Sequence, residues 1–338
     1  MGYRLVRRNG DHPMKFGVFL NQYYTPEGEF EVTDLYEQVA LMEDVGFDLA
    51  ALGERHFHRE GFVEPLSTLA ALGARTERID LATMAMLPAL HDPVHLAEQV
   101  AMIDRLTDGR MVFGGAIGYR ERELNPFGVT LDDRAVQFME TLTLLKRLWT
   151  EESVTHDGDH WSYEDAFVSP RPAGDLPVWI GGHADIAIKR AAYRGTGWIA
   201  SASSTTEDLE RQIGVYEDAL DEFGEDREDH DVVLMRDGFV ADSVGEARET
   251  IEPHLLELYR LYARWGQTYV DENDVEVDYD ELAEKFVLGA PEDCVEQLRE
   301  YQDLGVDQVV IRCQFPGQPQ APTLECLERF GEEVFPAV

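Results

Sequence analysis

Ile79–Val129 reads IDLATMAMLPALHDPVHLAEQVAMIDRLTDGRMVFGGAIGYRERELNPFGV, and this stretch decides the fold of the 338-residue chain. It divides into an apolar run, a helical pattern, a second apolar run and a glycine-rich exit. Ile79–Met86 is apolar and stops before Pro88. Between Val94 and Leu106, Val94, Ala97, Ala101 and Leu106 share one stripe while Glu98, Gln99 and Asp104 lie off it, which is helical spacing. Asp92 before Pro93 supplies an N-cap followed by proline at the first helical position. Asp108-Gly109 ends the helix and turns the chain into Met111–Ala116. Two strands joined through a helix form a parallel, right-handed unit. Gly114, Gly115 and Gly118 gather at the C-terminal end of the second strand, the edge where parallel α/β folds collect ligands.

Outward from this unit the same alternation continues. Further strands are predicted at Lys15–Leu20, Asp48–Leu52, Val178–Ile180, Trp198–Ala200, Val232–Val240 and Gln308–Arg312. Helices are predicted at Thr33–Val45, Pro65–Arg75, Asp132–Trp149, Ala184–Arg194, Glu207–Phe223, Val244–Trp265, Pro291–Leu304 and Thr323–Val334. Gly46, Gly109, Gly195, Gly224, Gly266 and Gly305 fall just past helix ends, as C-caps do. Eight strands alternating with helices imply one α/β domain over 1–338, a (β/α)8 TIM barrel with its site at the strand C-termini. The rival, a doubly wound open sheet, lacks support because no strand–GxGxxG–helix turn occurs. Residues 1–13 read as an extension. Two insertions are expected at the C-terminal mouth: 151–173, a small hairpin or loop around WSYEDAFV, and 267–287, an acidic surface excursion or lid.

Composition narrows the setting. The chain carries 67 acidic and 29 basic residues, a net charge of −38, and its only lysines are Lys15, Lys146, Lys189 and Lys285. The acids are spread over helix faces rather than collected in a tail, and 44% apolar residues are enough to build a core. An acidic, lysine-poor surface stays hydrated in concentrated salt, where its self-repulsion is screened. That pattern predicts a halophilic, haloarchaeal type of protein and argues against nucleic acid and anionic membranes as partners. No apolar run reaches membrane-span length, the N-terminus has no apolar signal core, and a cytoplasmic location is expected. Cys294, Cys313 and Cys326 are too widely spaced for a zinc cage or a disulfide framework.

Three loops after strands carry groups suited to chemistry. Gly53-Glu54-Arg55-His56-Phe57-His58 follows the second strand, where His56 can act as acid or base or simply bond to neighbours. His56 and His58 also form an HxH pair, but later strand ends lack matching ligands and Arg55 would repel a dication, so no metal is expected. Gly181-Gly182-His183 follows the fifth strand and opens a helix, a backbone-donor site for phosphate. Arg120, after the fourth strand, offers a cation for that phosphate or an ion pair to Glu123.

The segments TERIDLATMAMLP, HDPVHLAEQVAMIDRLTDGR and GGAIGYRERELNPFGV resemble the luciferase-like group of flavin-dependent oxidoreductases, and the likeness runs from Lys15 to Ala337. The resemblance implies a flavin held at the strand C-termini, with Glu54 and His56 beside its ring as catalytic residues. Arg55 stands where the family often has a further histidine. The strand around Thr83, Met84 and Ala85, with its bulge or non-prolyl cis peptide, would back the ring. Ala116, Gly118, Tyr119, Arg120, Gly181, Gly182, His183 and Trp198 would complete the cofactor site. Ile117 occupies the place of an arginine that often holds the FMN phosphate. The implied activity is an FMN-dependent monooxygenase acting on a small organic substrate with oxygen, its reduced FMN coming from a separate flavin reductase. The alternatives are an oxidoreductase that transfers hydride with the deazaflavin coenzyme F-420, and a flavin-binding subunit without turnover. A homodimer is the implied assembly.

Overall fold

A computed structural model describes residues 14–20, 31–58, 62–264, 279–283 and 285–338 of the chain. Its strands are β1 Lys15–Phe19, β2 Leu49–Leu52, β3 Asp80–Thr83, β4 Met111–Gly115, β5 Val154–Asp157, β6 Ser162–Ala166, β7 Val178–Gly181, β8 Gly197–Ala200, β9 Asp231–Val240, β10 Val287–Gly289 and β11 Gln308–Arg312. Its helices are α1 Val32–Val45, α2 Pro65–Gly73, α3 Pro93–Leu106, α4 Glu121–Leu124, α5 Arg134–Thr150, α6 Asp185–Arg194, α7 Thr206–Phe223, α8 Val244–Arg264, α9 Tyr279–Ala283, α10 Pro291–Asp303 and α11 Gln320–Arg329. Every strand pairing except β5–β6 is parallel, in the order β1-β2-β3-β4-β7-β8-β9-β11, and β11 returns to β1. Eight strands therefore close a (β/α)8 barrel, and each of the eight expected strands is one of its staves.

Alternation along the strands separates two cores. Leu49, Ala51, Ala82, Val112, Trp179, Ile199, Val233 and Val310 face inward as one buried cluster, while the residues between them pack outward against the helices. Glycine provides space inside the barrel. A Cβ on Gly197 would lie 2.4 Å from Cδ1 of Trp179, so the indole fills the width that Gly197 leaves. Asp92 caps α3 as expected, accepting from the backbone N–H groups of Val94 and His95 at 2.9 and 3.1 Å.

Four features differ from the sequence reading. Gly46, Gly109, Gly224 and Gly305 adopt positive φ past their helices, but Gly195 is extended. A Cβ on Gly195 would meet three backbone carbonyls within 3.0 Å, so crowding rather than handedness selects glycine there. Second, β10 is a ninth parallel strand, pairing Val287–Gly289 with Gly238–Val240 beyond the point where β8 ends. Three residues beside an acidic stretch carry no readable alternation. The rest of the 267–287 excursion, apart from α9 and the residues that follow it, lies outside the described residues, as does 1–13. Third, the expected hairpin forms from β5 and β6 and packs along the outer helices, reaching the mouth end of the barrel at the cap of α3. Tyr163 donates to Asp92 at the start of α3, and His156, His160 and Trp161 bond to Glu140 of α5. The hairpin leaves α5 and returns into β7, so its ends lie at the strand N-termini, and it climbs the flank until Tyr163 reaches Asp92 at the mouth end of α3. Fourth, α11 starts at Gln320, ahead of the expected Thr323.

Candidate active site

At the C-terminal end of β3 the ladder slips. Ala82 pairs with Val112 and Met86 with Gly115, so four steps on one strand match three on its neighbour, which is a β-bulge. The Thr83 hydroxyl fills the gap, donating to the Gly114 carbonyl at 2.9 Å and accepting from the Gly114 N–H at 2.8 Å. The Met84–Ala85 peptide within the bulge is cis, and the Ala85 carbonyl accepts from the Glu54 N–H at 3.1 Å. Thr83, Met84 and Ala85 thus join β3 to β4 on one side and to the β2 loop on the other.

Glu54 is the centre of the rim. Its side chain is almost wholly buried, and Oε1 lies 2.8 Å from His56 Nε2 and 2.6 Å from His91 Nε2. Oε2 accepts from the Leu87 N–H at 2.6 Å. Burial pushes the carboxyl upward, but the hydrogen bonds from His56 and His91, the charge of His91 and the Leu87 N–H outweigh it and hold Glu54 down to about 2. The same hydrogen bond raises His56 above the usual imidazole value, against the opposing effect of its partial burial. Sequence reasoning missed His91, although its place immediately before the α3 N-cap, past the end of β3, puts it on the same rim. Among the described residues, Glu54, His56 and His91 form a set whose donor atoms all lie within 4.8 Å, the chemistry of a metal-ligand trio. His58, the other half of the HxH pair, is absent from it.

A second carboxylate organises the other side of this loop. Glu123, at the end of the β4 exit, has a 1% exposed side chain. Its Oε1 accepts from the His56 N–H at 3.0 Å and lies 3.2 Å from Arg120 Nη1 and 3.5 Å from His58 Nε2. Its Oε2 lies 3.4 Å from Arg55 Nη1. Burial pushes the Glu123 carboxyl upward, but the His58 hydrogen bond, the Arg55 charge, the His56 N–H and the Arg120 charge outweigh it and hold it below the ordinary value. Arg120, anticipated as a phosphate cation or an ion-pair partner, is held in the ion pair and is buried. Arg55 also lies over the Tyr119 ring, 5.1 Å from its centroid. Gly118 adopts φ 74°, turning the loop so that Tyr119 and Arg120 follow. Beside His56, Phe57 and Phe127 are 49% and 45% exposed, and Phe57 holds φ 58°, a left-handed conformation rare for a bulky residue.

Across the mouth, β7 ends in Gly181-Gly182-His183 and α6 begins. A Cβ on Gly182 would lie 2.4 Å from Ala187 Cβ, whereas one on Gly181 would meet only ordinary contacts to Ala116 and Ile199. Helices α2, α3 and α7 are capped by Glu64, Asp92 and Thr205, but the N-cap of α6 is Ala184, which makes no side-chain cap hydrogen bond. Trp198 alternates with inward Ile199 and therefore faces the outer layer, where it packs near Tyr216. Its indole N–H donates to the Gly182 carbonyl at 2.7 Å, so Trp198 shapes the turn from behind.

The fourth element of the rim was not anticipated. Val233 and Val310 face inward and Met235 packs on the same cluster, so alternation carries Asp237 and Arg312 to that face one step nearer the mouth. They are register partners and form a bidentate pair, Nε–Oδ1 2.6 Å and Nη2–Oδ2 2.9 Å, with both side chains at most 2% exposed. Tyr259 and Tyr262 of α8 bind this pair, the first donating to Asp237 Oδ2 at 2.7 Å and the second accepting from Arg312 Nη1 at 2.5 Å.

These rim loops can be compared with known proteins. The family profile described as luciferase-like monooxygenase matches residues 14–308. An F420-dependent glucose-6-phosphate dehydrogenase of Intrasporangium calvum is 27% identical, over 92% of this chain and 96% of its own. The alkanal monooxygenase alpha chain of Photorhabdus luminescens is also 27% identical, over 79% of this chain and 75% of its own. The crystal structure of monooxygenase RslO1 from Streptomyces bottropensis superposes with a TM-score of 0.86 at 24% identity, covering 96% of this chain and 99% of that one.

Proposed function

Since the chain belongs to the luciferase-like monooxygenase family of oxidoreductases, we propose that its redox chemistry takes place among the Glu54, Glu123 and Gly181 loops, with coenzyme F-420 as the cofactor. The observation that carries this reading is the Glu54–His56–His91 cluster, an ionised buried carboxylate bonded to two imidazoles. The mouth also suits a ring and a phosphate. Gly181 and Ala116 leave a smooth wall, and α6 offers first-turn N–H groups with no capping side chain. F-420 favours the reading over FMN, reversing the order drawn from the sequence, because Arg120 is held by Glu123. A terminal phosphate monoester with nearly two charges needs a cation, whereas the internal diester of F-420 carries one charge and is better served by backbone donors alone.

When bound, F-420 accepts or delivers a hydride. The chain's own residues handle the accompanying proton. His56 Nε2–H donates to Glu54 Oε1, which leaves Nδ1 as the atom that takes a proton from a substrate hydroxyl as its C–H hydride departs. Glu54 then stabilises the imidazolium, as a buried acid does for a paired histidine in other enzymes. His91 holds the same carboxylate oxygen and fixes its orientation. The Glu123 carboxylate anchors the His56 backbone, and the bulge at Thr83–Ala85 sets the wall behind the ring. The second reading, an oxygen-using enzyme fed with reduced FMN by a flavin reductase, is supported by the GERHF and GYRERE segments and uses the same cluster. Fluorescence titration of the full chain with F-420 and with FMN, each oxidised and reduced, separates them. Micromolar F-420 binding with FMN at least tenfold weaker is expected; the opposite order would replace the first reading by the second.

A further inference from the structure

Arg312, which faces the mouth from β11, is already neutralised. Arg55 and Arg120 share Glu123, while Arg312 is gripped along one whole edge by Asp237 and bonded at its remaining nitrogen to Tyr262. Glu54 adds a further buried carboxylate shared by His56 and His91. An anionic group reaching Arg312 would have to displace Asp237 from a bidentate, almost completely buried pair, and breaking such a pair strands a buried charge. Two apolar groups are exposed beside His56. Phe57 and Phe127 stand 5.8 Å apart, and Phe127 is 4.8 Å from the His56 ring. Phe57 is presented there by a backbone conformation that disfavours bulky side chains, a cost tolerated where a side chain has a use.

We infer that the substrate is an uncharged, largely apolar alcohol or carbonyl compound, and that Asp237 sets this preference by occupying Arg312, while Phe57 and Phe127 supply the contact surface. The inference rests on the mouth being the redox site proposed above, and it separates this chain from its F420-dependent relative, whose name specifies a sugar phosphate. Arg312 is the one rim cation paired across β9 and β11, so the character of the site on that side turns on a single neighbour, Asp237. With that carboxylate made neutral, the guanidinium would lose its counter-charge and become an anion site.

The test uses the full chain in potassium chloride without cofactor, so its outcome is independent of whether F-420 or FMN binds. Saturation-transfer NMR compares cyclohexanol with glucose 6-phosphate, and phosphorus NMR follows inorganic phosphate. The wild type should take saturation to cyclohexanol and not to glucose 6-phosphate, and Phe57→Ala with Phe127→Ala should weaken the cyclohexanol signal several-fold. Asp237→Asn, checked for folding by circular dichroism, should bind phosphate at least tenfold more tightly than the wild type. Glucose 6-phosphate binding by the wild type in preference to cyclohexanol would overturn the substrate class, even if Asp237→Asn fails to fold. A folded Asp237→Asn with no gain for phosphate would overturn the role of Asp237.

Discussion

At the scale of single residues, the Glu54–His56 pair is where chemistry and pH meet. His56 titrates above the usual imidazole value because Glu54 holds its proton. If neutral His56 is the base, kcat/KM should rise with pH as His56 loses that proton. Replacing Glu54 by Gln removes the charge that raises it, so this limb should move to lower pH; a limb that stays in place would detach Glu54 from His56. His56→Ala should leave thermal unfolding nearly unchanged and cut turnover by about 10²–10⁴-fold, the usual loss of an acid–base group. Unaltered turnover would reduce His56 to a bonding partner of Glu54. Both residues were legible in the GERHF motif because they stand two positions apart past a strand and the motif resembles the family's. His91 was not, and of Glu123 only its pairing with Arg120 was, since the two meet this loop from 37 and 67 positions away. Asp237 and Arg312, 75 positions apart, become partners only once β9 and β11 are in register.

At the scale of elements, the eight barrel strands were readable because each is a short apolar run bounded by glycine, proline or charge. Their first residues carry a further consequence. Asp80 begins β3 near Asp48 and Asp231 at the starts of β2 and β9, with Lys15 at β1. Burial, with the charges of Asp48 and Asp231, raises Asp80 to about 6, although Lys15 and Arg110 oppose this. A carboxyl whose folded value lies above its unfolded one favours the folded state while protonated. That contribution is complete below about pH 4 and is lost as pH rises through 6. Asp80→Asn, which stays neutral, should therefore match the wild type near pH 4 and be more stable at pH 8 by about 1–3 kcal/mol. Equal stability of the two proteins at pH 8, measured by denaturant unfolding, would mean that Asp80 is ionised without cost. What escaped the sequence was one short strand and the packing of the expected hairpin, both set by tertiary placement. β10 is only three residues long and exists because β9 outruns β8, and the β5–β6 hairpin settles on α3 and α5 through Tyr163 and Glu140.

At the scale of the whole molecule, charge dominates. With a net charge of −38 the folded chain repels itself, and screening by salt shortens that repulsion from about 10 Å at 0.1 M to about 3 Å at 1 M. We therefore expect the unfolding temperature to climb steeply between dilute buffer and molar potassium chloride; a flat dependence would mean that the acids are tolerated rather than adaptive. The indole of Trp179, seated over Gly197 within the inward cluster, has a different consequence for traffic. With its interior filled by side chains, the barrel is a cup and not a tube, and one opening serves every arrival and departure. Two ligands stacked in such a cup cannot exchange places. The deeper one has to enter first and leave last, so initial-rate and product-inhibition patterns should be those of an ordered sequence, with the shallower product escaping while its companion is still seated.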